Sequence, residues 1–186
     1  MIKMIFATAV SLLVADAALA GPGLNLAPFS AINAHGGAGV VLRHGSVQRV
    51  TVVKGDLSKA DLHLTGKTLD ISPCKNWCWN TSDFKVEIVS PRIDAIEAHG
   101  GGAVKAEGDF PKQPMLSVEA HGGGAVDVRA IPADTVRARA HGGGAIKVKA
   151  LSSIDAEANG GGAITYSGNP AHVMSQTHAG GAISRD

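Results

Sequence analysis

Three histidines each stand immediately before a run of glycines: Ala98-His99-Gly100-Gly101-Gly102-Ala103-Val104, Ala120-His121-Gly122-Gly123-Gly124-Ala125-Val126 and Ala140-His141-Gly142-Gly143-Gly144-Ala145-Ile146. A fourth copy carries Asn159 in the histidine position, a worn copy carries His178, and a rearranged one near the start carries His35. From His99 the steps along this position are 22, 20, 18 and 19 residues. If successive copies stack as strands, His99, His121 and His141 fall in one column about 4.8 Å apart. Imidazoles in such a column could stack ring on ring. Alternatively, two could converge on one zinc or copper ion, whose nitrogen ligands sit at about 2.0–2.1 Å. The plainer reading is a column that tolerates a polar ring beside a glycine corner. Glu97 and Glu119 are near enough in sequence to add ligands, although strand alternation points them along an adjacent column.

Other chemistries fit the residues less well. His-Gly-Gly-Gly echoes the oxyanion strand of some lipases, but it recurs in series and no Gly-x-Ser-x-Gly elbow exists in the chain. Glycine-rich calcium repeats need Gly-Gly-x-Gly-x-Asp; here Ala125 takes the fourth position and only Asp127 fills the acidic one. A carbohydrate-active enzyme needs paired acids, and Asp94, Asp127, Asp134 and Asp155 do not fall at matching positions of the repeat. Trp77 and Trp79 form the best aromatic binding element, able to stack on a sugar or anchor a protein partner, or else to pack down over the fold. Both lie in a loop at 72–83 that also holds Cys74 and Cys78. In an oxidising compartment these two cysteines are expected to form a disulfide closing a small loop. Their spacing is not Cys-x-x-Cys, and two thiols alone do not make a zinc site.

The elements that must hold these residues are strands. Around the second repeat Leu116, Val118 and Ala120 alternate with Ser117, Glu119 and His121; around the third, Val136, Ala138 and Ala140 alternate with Arg137, Arg139 and His141. Alternation places the aliphatic set on one face and the charged set with histidine on the other. Stacking then produces a column Glu97, Glu119, Arg139, Glu157 and a second, Lys105, Asp127, Lys147, Thr165. A repeat near twenty residues with these columns predicts a β-solenoid, in which each unit buries its apolar face on its neighbours. Before the repeats, short strands are predicted around Val40-Val41-Leu42, Val50-Thr51-Val52-Val53, Leu62-His63-Leu64, Leu69-Asp70-Ile71 and Phe84 to Val89. No stretch beyond the first twenty residues has a helical period.

Those first residues read as a secretory leader: Lys3, an apolar run from Ile5 to Ala15, and the small-x-small site Ala18-Leu19-Ala20. An uncut membrane anchor is the alternative. No other segment approaches the length of a membrane span. Residues 21–28 read as a linker and 29–186 as one domain. The formal net charge of +1 among 186 residues, without a basic face or acidic run, argues against nucleic acid as a partner. Twenty-four glycines and 4% aromatics predict a thin core of Ala, Val, Ile and Leu.

Several of these features together resemble one bacterial family. They are the opening Phe29-Ser30-Ala31-Ile32-Asn33, the strands Val50-Thr51-Val52-Val53 and Leu69-Asp70-Ile71, the segment Val86 to Pro91 and the repeated small-Gly-Gly-Ala-Val/Ile units. Their order over residues 29–186 is similar to the putative auto-transporter adhesin head GIN domain, also catalogued as a domain of unknown function. The resemblance implies an exported, all-β, right-handed β-helix-like domain with about twenty residues per coil and no established activity. That family more often carries serine at the histidine positions, so the column is this chain's own. The expected role is a non-catalytic envelope or surface protein, periplasmic or extracellular, meeting a protein or glycan. A metal-binding protein is the second reading and an enzyme the third. An uncovered terminal coil also invites self-association.

Overall fold

The computed structural model describes residues 23–75 and 83–186. Every regular element among them is a strand. They are β1 (Gly23–Leu24), β2 (Ala31–His35), β3 (Gly39–His44), β4 (Arg49–Lys54), β5 (Asp61–Thr65), β6 (Thr68–Ser72), β7 (Lys85–Ser90), β8 (Ala95–His99), β9 (Ala103–Glu107), β10 (Gln113–His121), β11 (Ala125–His141), β12 (Ala145–Asn159), β13 (Ala163–Ser167), β14 (His172–His178) and β15 (Ala182–Arg185). All belong to one curled sheet. Its order runs β1-β4-β7-β3-β9-β11 along one strip and β5-β6-β2-β8-β10-β11 along another. The long strands β11 and β12 cross from strip to strip, and β13–β15 and β14 extend the two strips at the far end.

Within the repeats pairing is parallel and in register. His121 lies opposite His99 and His141, His141 opposite Asn159, and Asn159 opposite His178. His35 joins the same column opposite His99, although 64 residues separate them. The step near twenty residues therefore holds from His99 onward. Between His35 and His99 the chain makes an excursion that lays down β4–β7.

Alternation decides which side chains go inside. Leu116, Val118 and Ala120 are fully buried, as are Val136, Ala138 and Ala140 in the next tier. Among the described residues the core is aliphatic, with Phe29, Phe84 and Phe110 as its buried aromatic members. Burying such a column stabilises by about 25 cal/mol per Å² of apolar area removed from water.

Each repeat turns its corner at the glycines. In Gly122 and Gly123 φ is +57° and +89°, a left-handed pair that a side chain would strain. The Gly124 N–H closes the turn by donating to the His121 carbonyl at 3.0 Å. The third glycine is needed for a different reason. A Cβ on Gly124 would lie 2.2 Å from the Ala98 carbonyl oxygen in the tier below, and Gly102, Gly144 and Gly162 stand against the same wall. This close approach lets one tier seat on the next.

The beginning of the chain differs from a free linker. Gly23 and Leu24 pair antiparallel with Thr51 and Val50, and Leu24 and Leu26 pack on the core. Gln48 fixes this end by accepting from the Phe29 N–H at 3.0 Å and donating to the Phe29 carbonyl at 2.9 Å. The expected leader, residues 1–20, lies outside the described residues, as do Trp77, Cys78 and Trp79. Cys74 is described and is not a free thiol.

Candidate functional site

The histidine column is a stack of rings. Centroids of His35 and His99 are 5.2 Å apart, those of His99 and His121 4.7 Å, and those of His121 and His141 5.0 Å. Planes within each pair agree to 14°, 3° and 9°. The spacing is the strand spacing of the sheet, so the backbone ladder sets the stack. Each histidine sits at the first position of its glycine turn, where the turn's hydrogen bond fixes its carbonyl. Asn159 continues the line: its Nδ2 lies 3.4 Å from His141 Nδ1 and donates to Glu157 Oε1 at 2.8 Å.

Beside the rings runs the charged column, two residues earlier in each strand. His99 Nε2 lies 3.3 Å from Glu97 Oε2, and His121 Nε2 lies 3.5 Å from Glu119 Oε2. Arg139 stands between two glutamates, 3.6 Å from Glu119 and 3.5 Å from Glu157. The Asn159 amide beside Glu157 holds its carboxyl below the usual carboxylate range, and Arg139 adds to this. At the β5–β6 end of the strip Asp70 lies between His35 and His63, 3.8 Å from each. The Asn33 Nδ2 donates to Asp70 Oδ1 at 3.3 Å, while Asn33 Oδ1 is buried without a protein partner.

This arrangement brings His99, His121 and His141 together as the repeat predicted. Because the rings are parallel, their in-plane nitrogen lone pairs run side by side. Convergence on one ion therefore requires the side chains to turn from these positions. Among the described residues no group of three or more His, Cys, Asp or Glu is placed to hold a metal ion. The His99 and His121 tiers instead each offer a mixed pair, one imidazole nitrogen and one carboxylate oxygen, whereas the His141 tier carries Arg139 in the glutamate position.

The four aspartates weighed for glycoside chemistry are dispersed into separate ion pairs. Asp94 pairs with Arg92, Asp127 with Arg129, Asp134 with Lys112 at 3.0 Å and Asp155 with Arg137 at 3.7 Å.

Two features were missed from the sequence. His35 belongs to the ring stack, and the signal was present in the rearranged copy His35-Gly36-Gly37-Ala38. The strip without the histidines, β7-β3-β9-β11, carries an open apolar groove of about 370 Å³ over Ala103, Ala125 and Ala145, rimmed by Lys85, Lys105, Asp127 and Lys147. Its signal was the alanine that follows every glycine turn.

The family described as "Putative auto-transporter adhesin, head GIN domain" matches residues 28–115 and 112–170. Among solved structures the fold is similar to a putative adhesin from Bacteroides fragilis, at 18% identity and a TM-score of 0.56, covering 89% of this chain and 95% of the other. It is also similar to a putative adhesin from Parabacteroides distasonis, at 14% identity and a TM-score of 0.51 with the same coverage. At these identities the likeness is one of fold alone. No curated relative matches the chain in sequence.

Proposed function

The chain belongs to the putative auto-transporter adhesin, head GIN domain family, and we propose on that footing that it is an exported, non-catalytic interaction module of the cell envelope, periplasmic or surface-displayed. In this reading residues 1–20 are a cleaved leader, residues 29–186 form a single right-handed β-helix-like domain, and Cys74 pairs with Cys78 to shape the loop bearing Trp77 and Trp79.

The observation that carries the proposal is the ring-and-carboxylate ladder. His35, His99, His121 and His141 form a rigid row of polar rings beside Glu97 and Glu119, spaced by backbone rather than by flexible loops. A preorganised row loses little entropy on meeting a repeating partner such as a glycan or an extended chain. Such a partner engages several tiers at once.

Replacement of His99, His121 and His141 together by alanine tests this on a glycan array and a panel of envelope proteins. Binding is expected to fall at least tenfold with the fold retained, and replacing Trp77 and Trp79 by alanine is expected to weaken whatever binding remains. Wild-type affinity in the triple histidine variant would remove the ladder from the function.

Zinc or copper capture by His99, His121 and His141 is the second reading. It is favoured by the 3.3 and 3.5 Å approaches of Glu97 and Glu119 to ring nitrogens, close to the separation of two neighbouring ligands on a zinc ion. Zinc titration of the same triple variant separates the readings: binding to wild type and not to the variant supports metal capture, and equal heats from both exclude it.

A further inference from the structure

A strand at the edge of a sheet presents unpaired N–H and C=O groups, and natural proteins blunt such edges with charge, short length, proline or bulges. Three edges of this sheet carry such devices. β1 is two residues long. β5 carries Asp61, with Lys59 just before it in the chain. β15 has four residues and ends on Arg185, whose guanidinium donates to Asn169 Oδ1 at 3.0 Å.

The fourth edge is β14, and it has none of them. It runs seven residues, His172-Val173-Met174-Ser175-Gln176-Thr177-His178, with no Asp, Glu, Lys, Arg or Pro. Its register on β12 is unbroken. Every residue is exposed, and Val173 and Met174 are 46% and 59% exposed although both are apolar. Among the described residues nothing pairs with its outer side.

We propose that this edge is an interface with a second copy of the chain, paired antiparallel about a two-fold axis through Ser175. In that register His172 faces the partner copy's last histidine of the strand, Val173 faces a threonine, Met174 faces a glutamine, and Ser175 faces itself. Parity is preserved throughout. Val173, Ser175 and Thr177, which continue the buried columns of Ile154, Ala156 and Ala158, meet residues of the same inward set. The outward residues meet outward ones.

Charge favours the arrangement, because neither copy brings a formal charge to the joined strands. Geometry limits it to two copies. The edges at the other end, β1 and β5, are the blunted ones, so among the described residues a head-to-tail contact has no receiving edge and the assembly closes as an isologous dimer. The contact is small. Seven residues span about 23 Å of strand and the layer is about 10 Å deep, well under the roughly 800 Å² per partner of a standard interface. The dimer is therefore weak and concentration-dependent.

Sedimentation of the full chain over about 10 μM to 1 mM tests the proposal, a range suited to a small interface. Wild type is expected to pass from monomer to dimer, while a Met174→Lys, Gln176→Lys double variant stays monomeric at every concentration with an unchanged melting curve. Ser175→Cys gives an independent reading should that variant fail to fold. Mild oxidation is expected to link it as a dimer, whereas Ser58→Cys, on an exposed loop, stays unlinked. Wild type remaining monomeric throughout would overturn the proposal; this includes the case in which another segment already occupies the edge. So would species larger than a dimer, or a double variant that dimerises like wild type.

Discussion

At one end of the sheet β4 and β5 run antiparallel to the strands they cover; at the other, β14 and β15 lie parallel on theirs as one more tier of the repeat. The early end is sealed by side chains chosen for it. Leu69 and Ile71 are fully buried beneath β5, Val50 is buried in β4, and Gln48 ties Phe29 to Ser90. The late end is a repeat whose sequence has been relaxed. Positions held by Ala156 and Ala158 in the tier below are taken by Ser175 and Thr177. The left-handed turn position held elsewhere by glycine is taken by Ala179 at φ +47°. A repeat needs a neighbour on both sides to justify aliphatic residues, and among the described residues this tier has only one. The early end is therefore a structural closure, and the late end is a surface open to selection for something else.

The glycine corners test how far tiers depend on one another, and the effect should be the largest available. In Gly124→Ala the new Cβ would sit 2.2 Å from the Ala98 carbonyl oxygen and 2.7 Å from its carbon, and these backbone atoms leave no flexible side-chain end to give way. More than about 4 kcal/mol of stability should be lost, or folding abolished. In Gly181→Ala the clash is as close, 2.0 Å from the Ala158 oxygen, but only the last tier lies beyond it. That variant should release β14 and β15 locally and keep the rest folded. Urea unfolding with hydrogen exchange distinguishes the two outcomes. Equal losses at the two sites would mean that the tiers do not act in series.

What could be read beforehand divides along the same line. The strip from His99 to Asn159 was legible because each residue type repeats in register: aliphatic inside, charged outside, glycine at the corner. One periodic pattern fixes both neighbours and faces. The stacked column Glu97, Glu119, Arg139, Glu157 followed from counting alone. The early end resisted because its partners are far apart and antiparallel. Nothing local marks that Arg49 to Lys54 reverses against β7 or that Gly23 and Leu24 form a strand, and the rearranged copy at His35 does not say that its neighbouring tier lies 64 residues on, at His99. The ring stack was one of two geometries left open for the histidines. Spacing gave their separation, while the ring torsions that choose stacking over convergence depend on packing and on the glutamates beside them.

Core truncations at the two ends sharpen the contrast at intermediate size. Ile71 is fully buried in β6, the inner strand of the closing hairpin, so Ile71→Ala should cost about 2–5 kcal/mol. Val173 occupies the same inward face in β14 but is 46% exposed, so Val173→Ala should cost less than about 1 kcal/mol. Denaturant midpoints measured on both variants decide the matter. A Val173→Ala loss comparable to that of Ile71→Ala would show the late end to be as tightly closed as the early one.

The smallest effect concerns the ion pair that ties the last residue back to the body of the sheet. Arg129 donates to both carboxylate oxygens of Asp127, at 3.0 and 2.7 Å, and also reaches Asp186 at 3.3 Å. Arg129 holds the Asp127 carboxyl below its usual range, with Lys147 on the next tier adding a little. A carboxyl depressed in the folded state contributes stability that is fully present above its unfolded value near 3.9 and disappears as pH falls through the lower, folded value. The pair is partly exposed and screened, so the contribution should stay under about 1 kcal/mol. Wild type should therefore exceed Asp127→Asn by a small constant margin from pH 7 to about pH 5, and the margin should close below about pH 4. If the margin instead widened on acidification, Asp127 would be a group whose charge the fold resists. Arg129 would then serve mainly to hold Asp186, and with it the last strand, in place.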